Sequence, residues 1–444
     1  MRFISTRGLS SRDGGPAVSF GQALAQGLAP DGGLYMPETW PVIPLAAFDG
    51  ATTLPEVAEV MLRPFVAGDP IAVQIGDVVR DAFNFPAPLV PVAHEGKLSV
   101  LELFHGPTAA FKDFGARFLA ASLSRIRKDA SGKPLNILVA TSGDTGGAVA
   151  AAFHGRPGIV VSVLFPKGLV SPTQERQLTC WGDNVLSYRV AGTFDDCQRL
   201  VKEAFVDAAL RQRFELSSAN SINLGRLLPQ AVYYAATSLA VHRAHGVAPN
   251  FLIPSGNLGN SVACVWARKI GLPIGRIVLA HNANRAVPDF LASGQWEPRA
   301  SVPTLASAMD VGSPSNMERL RALFPDIDGV RGAVRAESVS DAQIRARIAA
   351  DYRQYAGEYG KPWCPHTATA AEVYARMPES ERAAGRWVLV STAHPAKFRE
   401  IVEPLTGQRI EMPESLAKLF SRPVSCAELD PSLAALTAAL GKVK

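Results

Sequence analysis

Residues 250–267, NFLIPSGNLGNSVACVWA, run from a short apolar strand through a glycine-rich turn into a helix, and residues 136–153, NILVATSGDTGGAVAAAF, repeat the design. In both, β-favouring apolar residues stop at a turn built of Ser, Gly and Asn or Asp, and a helix-length apolar pattern follows. Strand-like and helical runs alternate through the middle and end of the chain, which points to an α/β fold with largely parallel sheets. LNILVA, GIVVSVLF, VLSYRV, NFLIP, GRIVLA and RWVLVS all read as buried strands. Helices lie between them, such as 195–210, where Thr193 suits a cap and Asp195 and Asp196 suit the first turn.

The two glycine-rich turns also carry chemistry. Glycine lets the backbone aim N–H groups inward, and the helix start that follows adds partial positive charge, so each turn is a ready anion cradle. Neither fits G-x-x-x-x-G-K-[ST], and GNLGN lacks the full G-x-G-x-x-G pattern, which disfavours ATP and dinucleotides. A third strand, VLVSTAHPAKF, ends in Ser391 and Thr392, where open α/β sheets bind ligands.

In HGPTAAFKDFGARFLA, residues 105–120, Lys112 stands in the first turn of a helix whose apolar stripe is Phe111, Phe114 and Phe118. Thr108, after Pro107, is the expected N-cap. A lysine on such a helix ordinarily points its charge to water. Here the positive end of the helix dipole and partial burial both favour the neutral amine, a nucleophile able to form a Schiff base with a carbonyl. Two anion cradles and one such lysine call for a phosphorylated aldehyde cofactor and an anionic substrate. Pyridoxal 5'-phosphate meets both demands.

Composition narrows the classes. At 444 residues the chain exceeds one ordinary core, and 47% hydrophobic with 19% charged residues is the balance of a globular protein. Forty-five basic against 40 acidic residues leave a net charge of +5. The compact basic cluster is RIRK at 125–128, so nucleic acid is not an expected partner. Five scattered cysteines without a C-x-x-C pair argue for reduced thiols in the cytoplasm, and against structural zinc. No apolar run has the length of a signal peptide core or a membrane span.

The order of these motifs resembles the threonine synthase family, pyridoxal-phosphate enzymes of fold type II. The resemblance rests on STRG (5–8), GLAPDGGLYMPE (27–38), HGPTAAFKDFGAR (105–117), TSGDTG (141–146), PSGNLGN (254–260), MDVGSPSNMER (309–319), PHTA (365–368) and STAHPAKF (391–398). It implies that Lys112 forms the Schiff base with the cofactor and acts as the catalytic base. Gly256, Asn257, Leu258, Gly259 and Asn260 would hold the cofactor phosphate, and Thr392 the pyridine nitrogen. Ser142, Asp144 and Thr145 would meet the substrate. Leu258 stands where the family often has phenylalanine, and Cys364 where an acidic residue commonly precedes PHTA, which leaves the role of His366 open.

The implied reaction converts O-phospho-L-homoserine and water to L-threonine and phosphate, in a monomer or homodimer. Alternatives are a serine or threonine dehydratase of the same fold type, or a silent homologue that binds a phosphorylated ligand. The expected division is a cap at 1–92, a large cofactor domain at 93–130 and 228–444, and a smaller domain at 131–227 with the substrate loop. Lys167, Arg176 and Arg226 are equal candidates for the substrate phosphate.

Overall fold

A computed structural model describes residues 1–8, 16–93, 97–127, 132–355 and 357–441. Lys128 of the basic cluster, most of the turn-rich SSRDGGP and the last three residues of the C-terminal tail lie outside the described residues.

The strands in chain order are β1 (Phe3–Ser5), β2 (Tyr35–Pro37), β3 (Leu89–Ala93), β4 (Leu98–Glu102), β5 (Leu135–Ala140), β6 (Ile159–Pro166) and β7 (Val185–Val190). They continue with β8 (Glu215–Ser218), β9 (Asn250–Pro254), β10 (Ile277–His281), β11 (Arg335–Ser338), β12 (Trp387–Ser391) and β13 (Ala427–Leu429). Six form one sheet in the order β11-β10-β9-β12-β4-β3, parallel except for the β3–β4 pair at its edge. Five form a second, wholly parallel sheet in the order β13-β7-β6-β5-β8. Strands β5, β6 and β12 are buried at every position, as near-continuous apolar runs require when helices cover both faces of a sheet.

Three features depart from the expected division. Strand β3 straddles the boundary at 92 and pairs with β4, and the preceding residues share one apolar core with the Lys112–Ile126 helix, Phe20 meeting Phe118 at 6.4 Å between ring centroids. The C-terminal tail, assigned to the large domain, instead adds β13 beside β7. Its Leu433–Leu440 helix buries Leu436 and Leu440 in the cluster that holds Leu200 and Val201 of the Phe194–Val206 helix. The tail helix is therefore a surface helix docked on the smaller sheet through these two leucines.

Among the described residues no helix is long and apolar enough to cross a membrane, and no cluster of His, Cys, Asp or Glu could hold a metal ion. All five cysteines are free.

Candidate active site

The carboxyl ends of β5, β9 and β12 open on one cavity of about 730 Å³. Every site residue expected from sequence lines it: Lys112, Ser142, Asp144, Thr145, the run from Gly256 to Asn260, and Thr392. Of the three basic candidates Arg226 lines it, whereas Lys167 pairs with Glu428 at 3.0 Å and Arg176 donates to the Phe420 carbonyl at 2.8 Å, outside the lining.

Lys112 opens the Lys112–Ile126 helix, but Thr108 is not its N-cap. The Thr108 hydroxyl and N–H both donate to the Asp113 carboxylate, at 2.7 and 2.8 Å, so the side chain braces the turn instead of accepting from a helix amide. What fixes Lys112 is backbone. Phe111 N–H donates to Thr392 O at 2.9 Å, His394 N–H to Ala109 O at 3.0 Å and Leu103 N–H to Ser391 O at 2.9 Å, which zips the lysine turn to the end of β12. Ala109 takes φ +52°, a left-handed conformation rare for a residue with a side chain. Burial, with the nearby Arg226 and Lys397 cations, lowers the Lys112 pKa to about 8 against the pull of Asp144.

The 141–146 loop is shaped by Thr141, whose hydroxyl accepts from Gly143 N–H at 3.0 Å and Gly146 N–H at 2.9 Å. Gly143 has φ +138°, and a Cβ there would sit 2.5 Å from the Gln174 side chain, so only glycine serves. Asp144 follows at the start of the Asp144–Phe153 helix and accepts from Gln174 Nε2 at 3.1 Å. Burial alone would raise its pKa, but Lys397 Nζ at 2.8 Å and the Lys112 charge hold it well below the usual carboxylate range.

The 256–260 turn is pinned from three sides. A Cβ on Gly256 would lie 2.7 Å from Met309 Cα, Asn257 Nδ2 donates to Ser221 Oγ at 2.7 Å, and Asn316 Nδ2 donates to Asn257 O at 3.0 Å. Leu258 is left-handed at φ +62°, which turns the backbone into the Gly259–Lys269 helix without a side-chain cap. Asn260 uses its carbonyl oxygen to accept from Tyr233 and Tyr234 and leaves its buried Nδ2 without a partner. A donor stranded beside a helix N-terminus in a cavity wall fits a bound anion. Together with a lysine amine of depressed pKa across the same cavity, the turn fits pyridoxal phosphate.

Sequence reading named Arg226 as one of three basic candidates and left His366 open, and it passed over Lys397 and Arg319. Lys397 is fully buried against Asp144. Arg226 is 2% exposed, donates to Ala219 O, keeps its Nε without a partner, and burial lowers its pKa to about 10. His366 is buried and neutral, its pKa lowered to about 4 chiefly by burial, and accepts from Ala308 N–H at Nε2, 3.1 Å away. That contact leaves its proton on Nδ1. Arg319 is wholly buried without a carboxylate, donating to Tyr35 O, Ile222 O and Asn316 Oδ1 at 3.0, 2.7 and 2.7 Å. Lys397 and Arg319 stand within the quoted STAHPAKF and MDVGSPSNMER, and Arg226 among the basic candidates, which marks a neighbourhood but not burial.

Comparison with known proteins agrees with this geometry. Residues 84–393 match the family described as "Pyridoxal-phosphate dependent enzyme", residues 2–83 "Threonine synthase N terminus" and residues 367–440 "Threonine synthase, C-terminal". Threonine synthase from Haemophilus influenzae is 41% identical over 434 residues, covering 96% of this chain and 97% of its own. That from Escherichia coli is 40% identical over 430 residues, with 96% and 97% covered. Among solved structures, threonine synthase from Escherichia coli superposes with TM-score 0.87 at 36% identity over 100% of both chains. A threonine synthase from Brucella melitensis with bound pyridoxal phosphate superposes with TM-score 0.87 at 34% identity, over 99% of this chain and 98% of that one. The likeness spans the N-terminal segment, both sheets and the tail, and the chain belongs to the threonine synthase family, with pyridoxal 5'-phosphate as its cofactor.

Proposed function

We propose that the cavity converts O-phospho-L-homoserine and water to L-threonine and inorganic phosphate. The observation that carries this reading is a single cavity that joins a lysine of pKa about 8 to two glycine-rich helix starts and the buried cation Arg226. When bound, pyridoxal phosphate supplies a carbonyl and an electron sink. Gly256, Asn257, Leu258, Gly259 and Asn260 would hold its phosphate, with the free Asn260 Nδ2 as one donor. The Thr392 hydroxyl, in the cavity lining, would hold the pyridine nitrogen; being neutral, it would not favour ring protonation as an ionised carboxylate does.

Lys112 Nζ takes the proton from the substrate α-carbon and then one from the β-carbon as phosphate leaves the γ-carbon. Protons return to the γ-carbon and, once water has added its hydroxyl at the β-carbon, to the α-carbon. The task suits an amine with a pKa of about 8. Ser142 and Thr145 offer hydroxyls to the substrate carboxylate at the Asp144–Phe153 helix start. Asp144 is ionised and acts through charge and position rather than as a donor. Arg226, with its free Nε, receives the departing phosphate. The scattered, unpaired cysteines support a cytoplasmic setting, in which the chain acts as a monomer or homodimer. In terms of domains, the six-stranded sheet carries the cofactor and the five-stranded sheet carries the substrate loop.

The test is joint release of phosphate and threonine from O-phospho-L-homoserine, with homoserine, serine and threonine as competitors. A site built around phosphate departure should prefer it over homoserine by on the order of 10⁴-fold in kcat/KM. Faster formation of a 2-oxo acid and ammonia from serine or threonine would show a dehydratase instead.

A further inference from the structure

Lysine is among the residues least often fully buried, yet Lys397 exposes no surface. It sits in the short turn Pro395–Phe398 after β12. Its Nζ lies 2.8 Å from Asp144 Oδ1 and donates to Thr108 O at 3.0 Å. Asp144 starts a helix of the five-stranded sheet, while Thr108 belongs to the turn that leads into Lys112. Thr108 O also accepts from Gln177 Nε2 at 2.9 Å, a donor from the Pro172–Thr179 helix. One buried ammonium thus fastens the end of β12, the substrate loop and the lysine turn to each other.

The charges around Lys112 give the contact a second consequence. Asp144, Arg226 and Lys397 act on its amine, and neutral His366 stands beside them. An ionised Asp144 draws a proton toward Lys112, whereas the two cations repel it. Without Lys397, a buried carboxylate would be left to Lys112 as its other lysine partner.

We propose that Lys397 is a positioning residue and the counter-ion of Asp144, holding the substrate loop against the lysine turn and withholding the Asp144 charge from Lys112. The proposal rests on the reading of Lys112 as the lysine that carries the cofactor. It assigns the STAHPAKF segment two separate tasks, Thr392 at the ring and Lys397 at the loop.

The experiment is a pH titration of the cofactor's visible absorbance in the holoenzyme for the wild type, Lys397→Met, Asp144→Asn and the double variant. Removing the Lys397 charge should raise the midpoint by about one pH unit or more, and Asp144→Asn should lower it by more, because Asp144 acts on the amine more strongly than Lys397 does. The double variant should fall between Asp144→Asn and the wild type, since it loses both charges and that of Asp144 acts more strongly. A residue that only stabilised the fold would lower Tm without moving the midpoint. If Lys397→Met does not fold, Lys397→Gln takes its place with Asp144 intact, and a midpoint that coincides with the wild type overturns the proposal. Borohydride reduction and peptide mapping of the same samples separate the two readings. A pyridoxyl group on another lysine removes the assignment of Lys112, while a group on Lys112 with unmoved midpoints removes the counter-ion role.

Discussion

Lys112 must be unprotonated to attack an aldehyde, and its surroundings place that transition at a pKa of about 8 rather than at 10.5. Attachment of pyridoxal phosphate to cofactor-free protein should therefore accelerate as pH rises toward about 8 and level off above it. Stopped-flow absorbance measures this, and a rate still climbing tenfold per unit at pH 10 would contradict it. Lys112→Ala should reduce kcat by about 10²–10⁴-fold, the usual contribution of a proton-transferring group. Gly256→Val forces a Cβ to within 2.7 Å of Met309 Cα and should weaken cofactor binding by about tenfold or more, read by fluorescence titration. Gly259 is more forgiving, since its Cβ would meet Ser221 at 3.3 Å. Both glycines were legible in the sequence as one cradle; which of them is tight was not, because Met309 arrives from a distant loop. Lys397 was illegible for the same kind of reason. Nothing in STAHPAKF marks its lysine for burial, which exists only once the 391–398 segment has folded onto residues 103–111.

At the scale of elements, the strand–turn–helix units were readable because a parallel strand covered on both faces has to be apolar at nearly every position. The six runs identified from sequence are β5, β6, β7, β9, β10 and β12. Strands β8 (ELSS), β11 (RAES) and β13 (AEL) escaped because they are short and polar, and pairing alone makes them strands. The Thr193 cap is present as a full capping box with Asp196. The loop after β5 depends on a residue that sequence reading passed over. Thr141→Val keeps the shape of the side chain but strands the N–H groups of Gly143 and Gly146, at a cost of about 1–3 kcal/mol. The expected outcome is a KM for O-phospho-L-homoserine raised roughly tenfold, with cofactor affinity unchanged, because the 256–260 turn belongs to the other sheet. Equal losses in both measurements would show that the loop serves the cofactor as well.

Over the whole molecule, acid should unfold the chain partly through Glu102, which is 1% exposed at the end of β4. Burial would raise its pKa, but hydrogen bonds from His105, Lys361 and Tyr359 hold it at about 2 against an ordinary 4.5. Its contribution is complete above about pH 5 and is lost as pH falls toward 2, up to roughly 3 kcal/mol. Asp113 and Asp310, raised to about 6 by burial, act in the opposite sense and favour the fold on the acid side. Urea unfolding at several pH values should show Glu102→Gln less stable than the wild type at pH 7 and the gap closing near pH 2. A gap independent of pH would remove the electrostatic account. The placement of β12 between β9 and β4 reaches further, into how the chain is made. The large sheet is not extended from one side as synthesis proceeds. Its central strand is translated after all its other strands, so two separate groups of strands leave the ribosome with bare edges facing a gap. Edges of that kind recruit strands from other molecules. A nascent chain that stalls before Trp387 is therefore an adhesive fragment rather than a feeble enzyme, and the burden of unfinished synthesis falls on chaperones and proteases.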